Sequence, residues 1–491
     1  MPVMLGSGAN LYGHYMFQGG QNPDGHLTSL QESQATGYPT DVPTRSYDFQ
    51  APLSAFGQER ASFRKLKVFH YFLNDFGSEL ARMSVNVPAM TPKSAGDLGV
   101  TRASVRSDGQ RGFLFVNNYV RGTTMPARKD AQFEIMLPNS TLKIPDRPIE
   151  IPSGAYFIWP FNLQLGNSTL KYATAQLFTR IKTPEGDTFF FEQIPGIPAE
   201  LVIKRASALV IHAKGAVVRR QGDEVSISSI PTGFDHGIQI TRGKGPEIRV
   251  IILSSREAED AWKTRIDGSQ HLLESDRDFF TDGKSFVLQS DGDAHCSFTL
   301  FPSVNESLKL VGGNLSSRRQ GDSSYFDASV PEASPVLEIK KIQEAAEVPP
   351  VELGPPLPWR PQGVAMAPDD SEFKLAAKWL ISVSKNSPSS TINKLFLKID
   401  YTGDVARLSA DGYLVDDNFN NGLPWIIELQ RFKRKLSDTP LELSILPLRR
   451  DAPIFLEKRF WPSFAGRNQV SDLMGASLVP QYRFQLQIGP N

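Results

Sequence analysis

The chain has 491 residues, enough for about three domains at roughly 150 residues each, and its 53 basic residues balance 53 acidic ones, which argues against nucleic acid or an anionic membrane as partner. With 40% hydrophobic and 22% charged residues, and 38 Gly and 36 Pro, disorder and collagen are excluded in favour of a turn-rich globular protein. Cys296 is the single cysteine, so no internal disulfide and no Cys-based zinc site is expected.

In chain order, residues 1–50 are rich in Gly, Gln, Asn and Pro and read mostly as loop, with a turn signal at Pro23-Asp24-Gly25 and one short apolar run from Tyr12 to Phe17. Met1 to Gln21 holds no Lys or Arg and no long apolar stretch, so no signal or transit peptide is expected there. From Ala61 to Arg82, Phe63, Leu66, Phe69, Leu73, Phe76 and Leu80 recur at spacings of three and four, predicting a helix whose C-terminal end is marked by Gly77. A helix so aromatic needs a broad apolar partner. Unless it packs on the following β-domain or on another polypeptide, an exposed apolar patch results.

From Val85 to about Val330 the texture is short β-rich runs: Gly112 to Val116, Gln132 to Leu137, Ala155 to Trp159, Leu209 to His212 and Arg249 to Leu253. Such runs, separated by turn signals, predict antiparallel β-sandwiches, with one short helix over Ser255 to Arg265. The longest uncharged run, Gly154 to Leu170, is broken by Pro160, Asn162, Gln164 and Asn167 and is too polar to span a bilayer. Val348 to Asp370 is Pro-rich and reads as a stiff linker. Beyond it, Leu395, Leu397 and Ile399 alternate with polar residues, and turns at Tyr401-Thr-Gly-Asp404 and Ala410-Asp-Gly412 predict a hairpin-rich β module. No fixed-period repeat is seen.

Walker, Rossmann, zinc-peptidase, serine-hydrolase and EF-hand motifs are absent. The histidines, His14, His26, His70, His212, His236, His271 and His295, show no close ligand spacing, so no metal site is expected. Asp291-Gly-Asp-Ala-His-Cys296 reads better as a turn entering a strand over Ser297 to Leu300 than as a ligand cluster. The Asn139, Asn167, Asn305 and Asn314 tripeptides match the glycosylation pattern, which is frequent by chance and carries no weight here.

Gly8-Ala-Asn-Leu-Tyr-Gly-His-Tyr-Met-Phe-Gln-Gly-Gly-Gln-Asn22, then Ser46-Tyr-Asp-Phe-Gln-Ala-Pro-Leu53, Phe56-Gly57 and Phe63-Arg-Lys-Leu66, closely resemble one stretch of the glycoside hydrolase family 35 β-galactosidases. There the stretch forms the last strand of the catalytic barrel, the loop after it and the final barrel helix. Gly112-Phe-Leu-Phe-Val-Asn-Asn-Tyr119, Tyr172-Ala-Thr-Ala-Gln-Leu-Phe178 and Tyr401-Thr-Gly-Asp-Val-Ala-Arg-Leu408 with Asn421-Gly-Leu-Pro-Trp425 look like the β-domains that follow the barrel in large members. The resemblance implies a mostly β multidomain chain: an incomplete end of a (β/α)8 TIM barrel over 1–84, a β-sandwich over 85–220, a second β-rich unit over 221–347, the linker over 348–370, and a galactose-binding-like jelly roll over 371–491.

It also implies retaining hydrolysis of terminal non-reducing β-D-galactosides, without cofactor or metal. The family's two catalytic Glu residues, one after the fourth strand and one after the seventh, lie upstream of anything matched here. No catalytic residue is therefore assigned, and the chain is expected to be inactive alone; were it active, Asp48 or Glu32 would be the acids to examine. Tyr15 matches the tyrosine of the Tyr-Met-Phe motif that contacts galactose, Phe49 stands where some members carry Tyr, and Asn22 ends the adjoining loop, so these three are the candidate substrate contacts. Both aromatics read equally as barrel-core residues, and Gln18-Gly-Gly-Gln-Asn22 departs from the family's usual His-Gly-Gly-Thr-Asn. Asp48 reads as a structural loop acid. Trp425 and Tyr413 are candidates for stacking on a sugar in the C-terminal unit. The expected partners are a β-galactoside or galactose-containing glycan and a separate chain carrying the rest of the barrel; the alternative is a non-catalytic carbohydrate-binding protein. Neither nucleic acid nor membrane is expected as a partner, and the compartment is left open.

Overall fold

Phe189, Phe190 and Phe191 are all buried, and because successive strand residues face opposite ways, a strand carrying them must be covered on both faces. The structure, a computed structural model, describes residues 1–23, 43–205, 209–266, 268–281, 285–304, 307–358, 361–383, 392–432 and 440–489. Gly186–Gln193 lies in a five-stranded sheet with Gln176–Thr183, Ile248–Ser254, Ile238–Arg242 and Leu209–Ala213. Phe189 and Phe191 face an eight-stranded sheet running from Ser84–Asn86 to Val217–Gln221, and the two sheets enclose one core. Phe190 faces the other way, onto Val68, Leu272 and Phe301.

The eight-stranded sheet is covered twice as well. Its Gly112–Asn117 strand is a nearly continuous apolar run because Phe113 and Phe115 enter the inter-sheet core, whereas Leu114 and Val116 meet the long hairpin Arg128–Leu137 with Ser140–Ile151. This first sandwich takes strands from 84 to 254, so it continues across position 220 through the hairpin Val217–Gln221 with Glu224–Ser228.

Two further sandwiches share one sheet. Asp472–Ile488 is a strand of 17 residues, roughly 56 Å at 3.3 Å per residue. Its first part pairs with Ile392–Thr402 and its last part with Ser285–Asp291 and Leu308–Leu310. The shared sheet packs at one end on the five strands from Ala261–Ile266 to Ser323–Ser329, and at the other on the five from Leu337–Gln343 to Leu441–Ile445. One strand therefore belongs to both cores, and the two units cannot separate without breaking it. Both are antiparallel, as expected of a mostly β chain.

Three α-helices are present among the described residues: α1 (Pro2–Gly6), α2 (Ala61–Leu80) and α3 (Ser255–Glu259). α1 falls in the segment read as loop; Pro2 opens it, where proline is tolerated. α2 forms where the spacing predicts and runs past Gly77 to Leu80. Its aromatic stripe does not face solvent, since Phe69, Phe72, Phe76 and Leu80 join the first sandwich core and Phe63 packs against Trp262.

The helix expected over Ser255 to Arg265 stops at Glu259. Ser254 and Glu257 form a capping box, and Ala261–Ile266 then becomes a strand because Trp262, Thr264 and Ile266 alternate inward. The Pro-rich segment is strapped down rather than free: Val348 is buried against Phe373, its N–H donates to Gln469, and Leu353 pairs with Ala365. Asp24, Gly25, Glu32 and Asn305 lie outside the described residues.

Candidate functional site

The segment 43–61 is fixed before it presents anything. Asp417 accepts the backbone N–H groups of Thr44, Arg45 and Ser46 at 2.6, 2.8 and 2.9 Å. Phe56 inserts into the third core, and Lys394 and Arg431 donate to the carbonyls of Phe56 and Ala55. Asp48 accepts from the N–H groups of Gln50 and Ala55 and pairs with Arg60 at 2.8 Å, the structural role expected of it. Gly19 makes room for this: a Cβ there would meet Asp48 Oδ2 at 2.8 Å and Ala55 N at 2.9 Å.

On this anchored loop stands an aromatic edge. Tyr15 is 86% and Phe49 55% exposed, so neither is buried within this chain. Tyr47 joins them, its hydroxyl 2.9 Å from that of Tyr15 and its ring edge-on to Phe49. Met16, Phe49 and Gln50 have φ of 66°, 48° and 56°. Left-handed backbone at three non-glycine residues is strained, and strain of this kind collects where a chain presents functional side chains. Asn22 is used locally, its side chain donating to the Thr44 carbonyl and its N–H to that of Arg45.

The two residues proposed for sugar stacking are differently placed. Trp425 is 5% exposed, with Nε1 donating to Asp416 at 3.3 Å. Tyr413 takes a hydrogen bond from Arg45 at 2.8 Å, and the Arg45 guanidinium lies over its ring. The Tyr413 ring thus binds the N-terminal segment to the third sandwich, whereas Trp425 is held within that sandwich.

Two cavities flank this segment. A groove of about 1330 Å³ runs between α1, α2 and the first sandwich, lined by Leu66, Phe69, Val87, Phe115, Tyr119 and Ile194 among others, with Glu192 and Glu259 at one side. A polar cleft of about 550 Å³ lies where the N-terminal segment meets both later sandwiches. Gln21, Asp48 and Glu59 form one wall of the cleft, Arg277, Asp278, Ser290 and Asp291 the second, and Asp416, Asn418, Asn421, Pro424 and Trp425 the third.

Burial shapes the acids of both cavities. Desolvation pushes Glu59 up to about 8, and Asp278, itself desolvated, up to about 6. Lys67, desolvated beside them over the Trp262 ring, drops to about 7. Asp416 rises to about 7, through burial first and the adjacent Asp417 charge second. Glu192 in the groove rises to about 7, and so does Glu274, which lies outside both cavities, again chiefly by burial.

A carboxyl whose folded pKa lies above its unfolded value carries no penalty below the unfolded value, near 4, and destabilises the fold progressively as pH rises to the folded value. Asp416, Glu192 and Glu274 all have this sign. Stability is therefore expected to fall between about pH 4 and pH 7, by roughly 2–4 kcal/mol through Asp416 alone. Melting curves of Asp416→Asn should show a flatter decline over that window; a profile parallel to the parent's would contradict the assignment.

Histidines far apart in sequence do meet: His14 and His70 bring their Nε2 atoms to 3.3 Å. Among the described residues no group of three His, Cys, Asp or Glu converges as metal ligands. Asp293 pairs with Arg277 and caps the His295 N–H, the turn reading of that stretch, and burial pushes the Cys296 thiol up to about 12.

Asp416, Asp417, Glu59 and Ser290 were not singled out from sequence. For Asp416 and Asp417 the sequence carries one signal, two adjacent acids inside the strand Tyr413–Phe419, since paired carboxylates in a strand need partners on both faces; for Glu59 and Ser290 it carries none. No protein-family profile matches the chain, and no curated protein is significantly similar to it.

Proposed function

We propose that the chain is a component of a retaining β-galactosidase of the family 35 type, inactive alone, whose role is to present the aromatic edge to the galactose unit and to brace it with β-sandwiches. In this reading 1–84 is the end of a (β/α)8 barrel, the third sandwich is a galactose-binding-like jelly roll, and another polypeptide carries the two catalytic glutamates.

The observation that carries the proposal is the edge itself: Tyr15 and Phe49 stand exposed on a loop that Asp417 and Phe56 make rigid. Exposed rings offer a flat apolar surface to the C–H face of a pyranose, and the Tyr15 hydroxyl offers a hydrogen bond. Fixed support is what converts such contacts into orientation. Retaining hydrolysis needs two carboxyl groups about 5–5.5 Å apart across the glycosidic bond, and the acid of this loop, Asp48, is committed to Gln50, Ala55 and Arg60.

The apolar groove beside α2 supports a polypeptide partner, because a surface of this kind binds protein more readily than a neutral sugar. No metal or cofactor is required: one carboxyl protonates the leaving oxygen and the other attacks the anomeric carbon. The polar lining of the cleft favours a second reading, non-catalytic carbohydrate binding.

Turnover of a chromogenic β-galactoside tests the proposal. The chain alone is expected to give none, and a mixture with a polypeptide carrying the rest of the barrel is expected to give turnover that Tyr15→Ala lowers about tenfold in kcat/KM, about 1.4 kcal/mol of transition-state binding. Turnover in that mixture that Tyr15→Ala leaves unchanged, or none at all, would overturn it.

A further inference from the structure

The cleft between the N-terminal segment and the two later sandwiches holds polar groups with nothing to bind. Asp416 is 3% and Ser290 2% exposed, and both line the cleft. Asp416 uses Oδ2 for the Trp425 indole, while its Oδ1 has no hydrogen-bond partner; the Ser290 hydroxyl has none either. Gln21, on the facing wall, engages Asp416 through its side chain and so eases the ionisation of that carboxyl. Buried polar groups are almost always satisfied, by protein, water or ligand, and each one left alone costs about 1–3 kcal/mol. Two such groups facing one cavity, Asp416 Oδ1 and the Ser290 hydroxyl, mark a place built for something the chain itself does not supply.

Their chemistry selects the class. The polar set, with the Gln21 amide beside them, is one amide donor, one carboxyl acceptor and one hydroxyl able to do either, a mixture suited to hydroxyl groups, which also do both. An anion would need a free cation, and Arg277 is paired with Asp276 and Asp293. A metal ion would need converging ligands, and among the described residues no such group is present. Phe56, Leu423, Pro424 and Trp425 supply an apolar wall of the kind that packs on the C–H face of a sugar ring. The volume of about 550 Å³ falls within the range of small-molecule sites.

We infer that this cleft is a binding site for a neutral sugar unit, whose hydroxyls pair with Asp416, Ser290 and Gln21 while its ring packs on the Pro424–Trp425 wall. The ligand class follows the carbohydrate reading proposed above; the place is new, and it is separate from the Tyr15–Phe49 edge. The site carries no chemistry. It holds a glycan at the junction of three parts of the chain, so occupancy also ties the N-terminal segment to both sandwiches.

The test is saturation-transfer NMR and calorimetry on the full chain, with D-galactose, D-glucose and methyl β-D-galactopyranoside as probes and calcium ion alone as a control. At least one sugar is expected to bind with millimolar affinity, weakened about tenfold by Asp416→Asn and at least severalfold by Ser290→Ala, and unchanged by Met136→Ala, an exposed position of the long hairpin away from the cleft. Melting curves show whether each variant is folded, and Asn421→Ala, a change at the solvent rim, gives a second reading should Ser290→Ala fail to fold. Binding lost only in Tyr15→Ala would place the sugar at the edge and overturn this site while sparing the proposed function. Binding of calcium in place of sugar, or no sugar binding by a folded chain, would also overturn it.

Discussion

Asp417→Ala is expected to release the segment around Thr44 to Ser46 and to raise the rate of tryptic cleavage after Arg45 by orders of magnitude. The Asp417 carboxylate is the shared acceptor for three consecutive backbone N–H groups, and hydrogen bonds to a charged group are worth about 1.5–3 kcal/mol each. The three are not additive, and Phe56 still anchors the far end of the loop, so the expected cost is about 3–5 kcal/mol, as for breaking a buried charged interaction. The Tyr15–Tyr47–Phe49 edge depends on the same anchor. A variant with the parent's cleavage rate would show that Phe56 and Arg60 hold the loop unaided. Asp417→Asn, which keeps an acceptor oxygen, should fall between the two.

Phe72→Ala is expected to cost about 3–5 kcal/mol in the unfolding of the first sandwich, as for a buried aromatic truncated in a core. Phe72 is almost fully buried, with its ring edge-on to Phe113 at 5.1 Å and beside Phe76 at 5.8 Å. Through it α2 closes the open side of the sandwich, so the variant should also expose apolar surface to hydrophobic dyes. Urea denaturation gives the free energy. A cost no larger than that of an exposed substitution would mean that α2 does not belong to this core, and the barrel-end reading of 1–84 would lose its structural footing.

The strands at Gly112 to Val116 and Arg249 to Leu253, the α2 stripe and the hairpin turn at Asp411-Gly412 could be read from the sequence, because each is decided by local periodicity or turn chemistry. Partnership was harder. The stripe Phe69, Phe72, Phe76 and Leu80 announces a buried face without naming the sheet that buries it. Asp472–Ile488 forms one strand, and nothing local in its sequence says that it will serve two cores.

The site divides in the same way. Tyr15, Phe49 and Asn22 came from a motif resemblance, and the structure places the two aromatics together on one exposed edge, with Asn22 tying the loop to Thr44 and Arg45. The rings of Trp425 and Tyr413 are legible in the sequence, but what occupies them is not: Asp416 reaches Trp425 from the preceding strand, and Arg45 reaches Tyr413 from the far N-terminal loop. The cleft is assembled from positions between 21 and 426, and its unpartnered atoms exist only once three surfaces meet. No spacing in the chain encodes such a place.

The most direct measurement of the central claim is the rate at which the purified chain, with no other polypeptide, hydrolyses a chromogenic β-galactoside. The account predicts a rate equal to that of buffer. Turnover that disappears when a single carboxylate of this chain is replaced, Glu192→Gln or Asp48→Asn, would contradict it and place the catalytic pair within these residues.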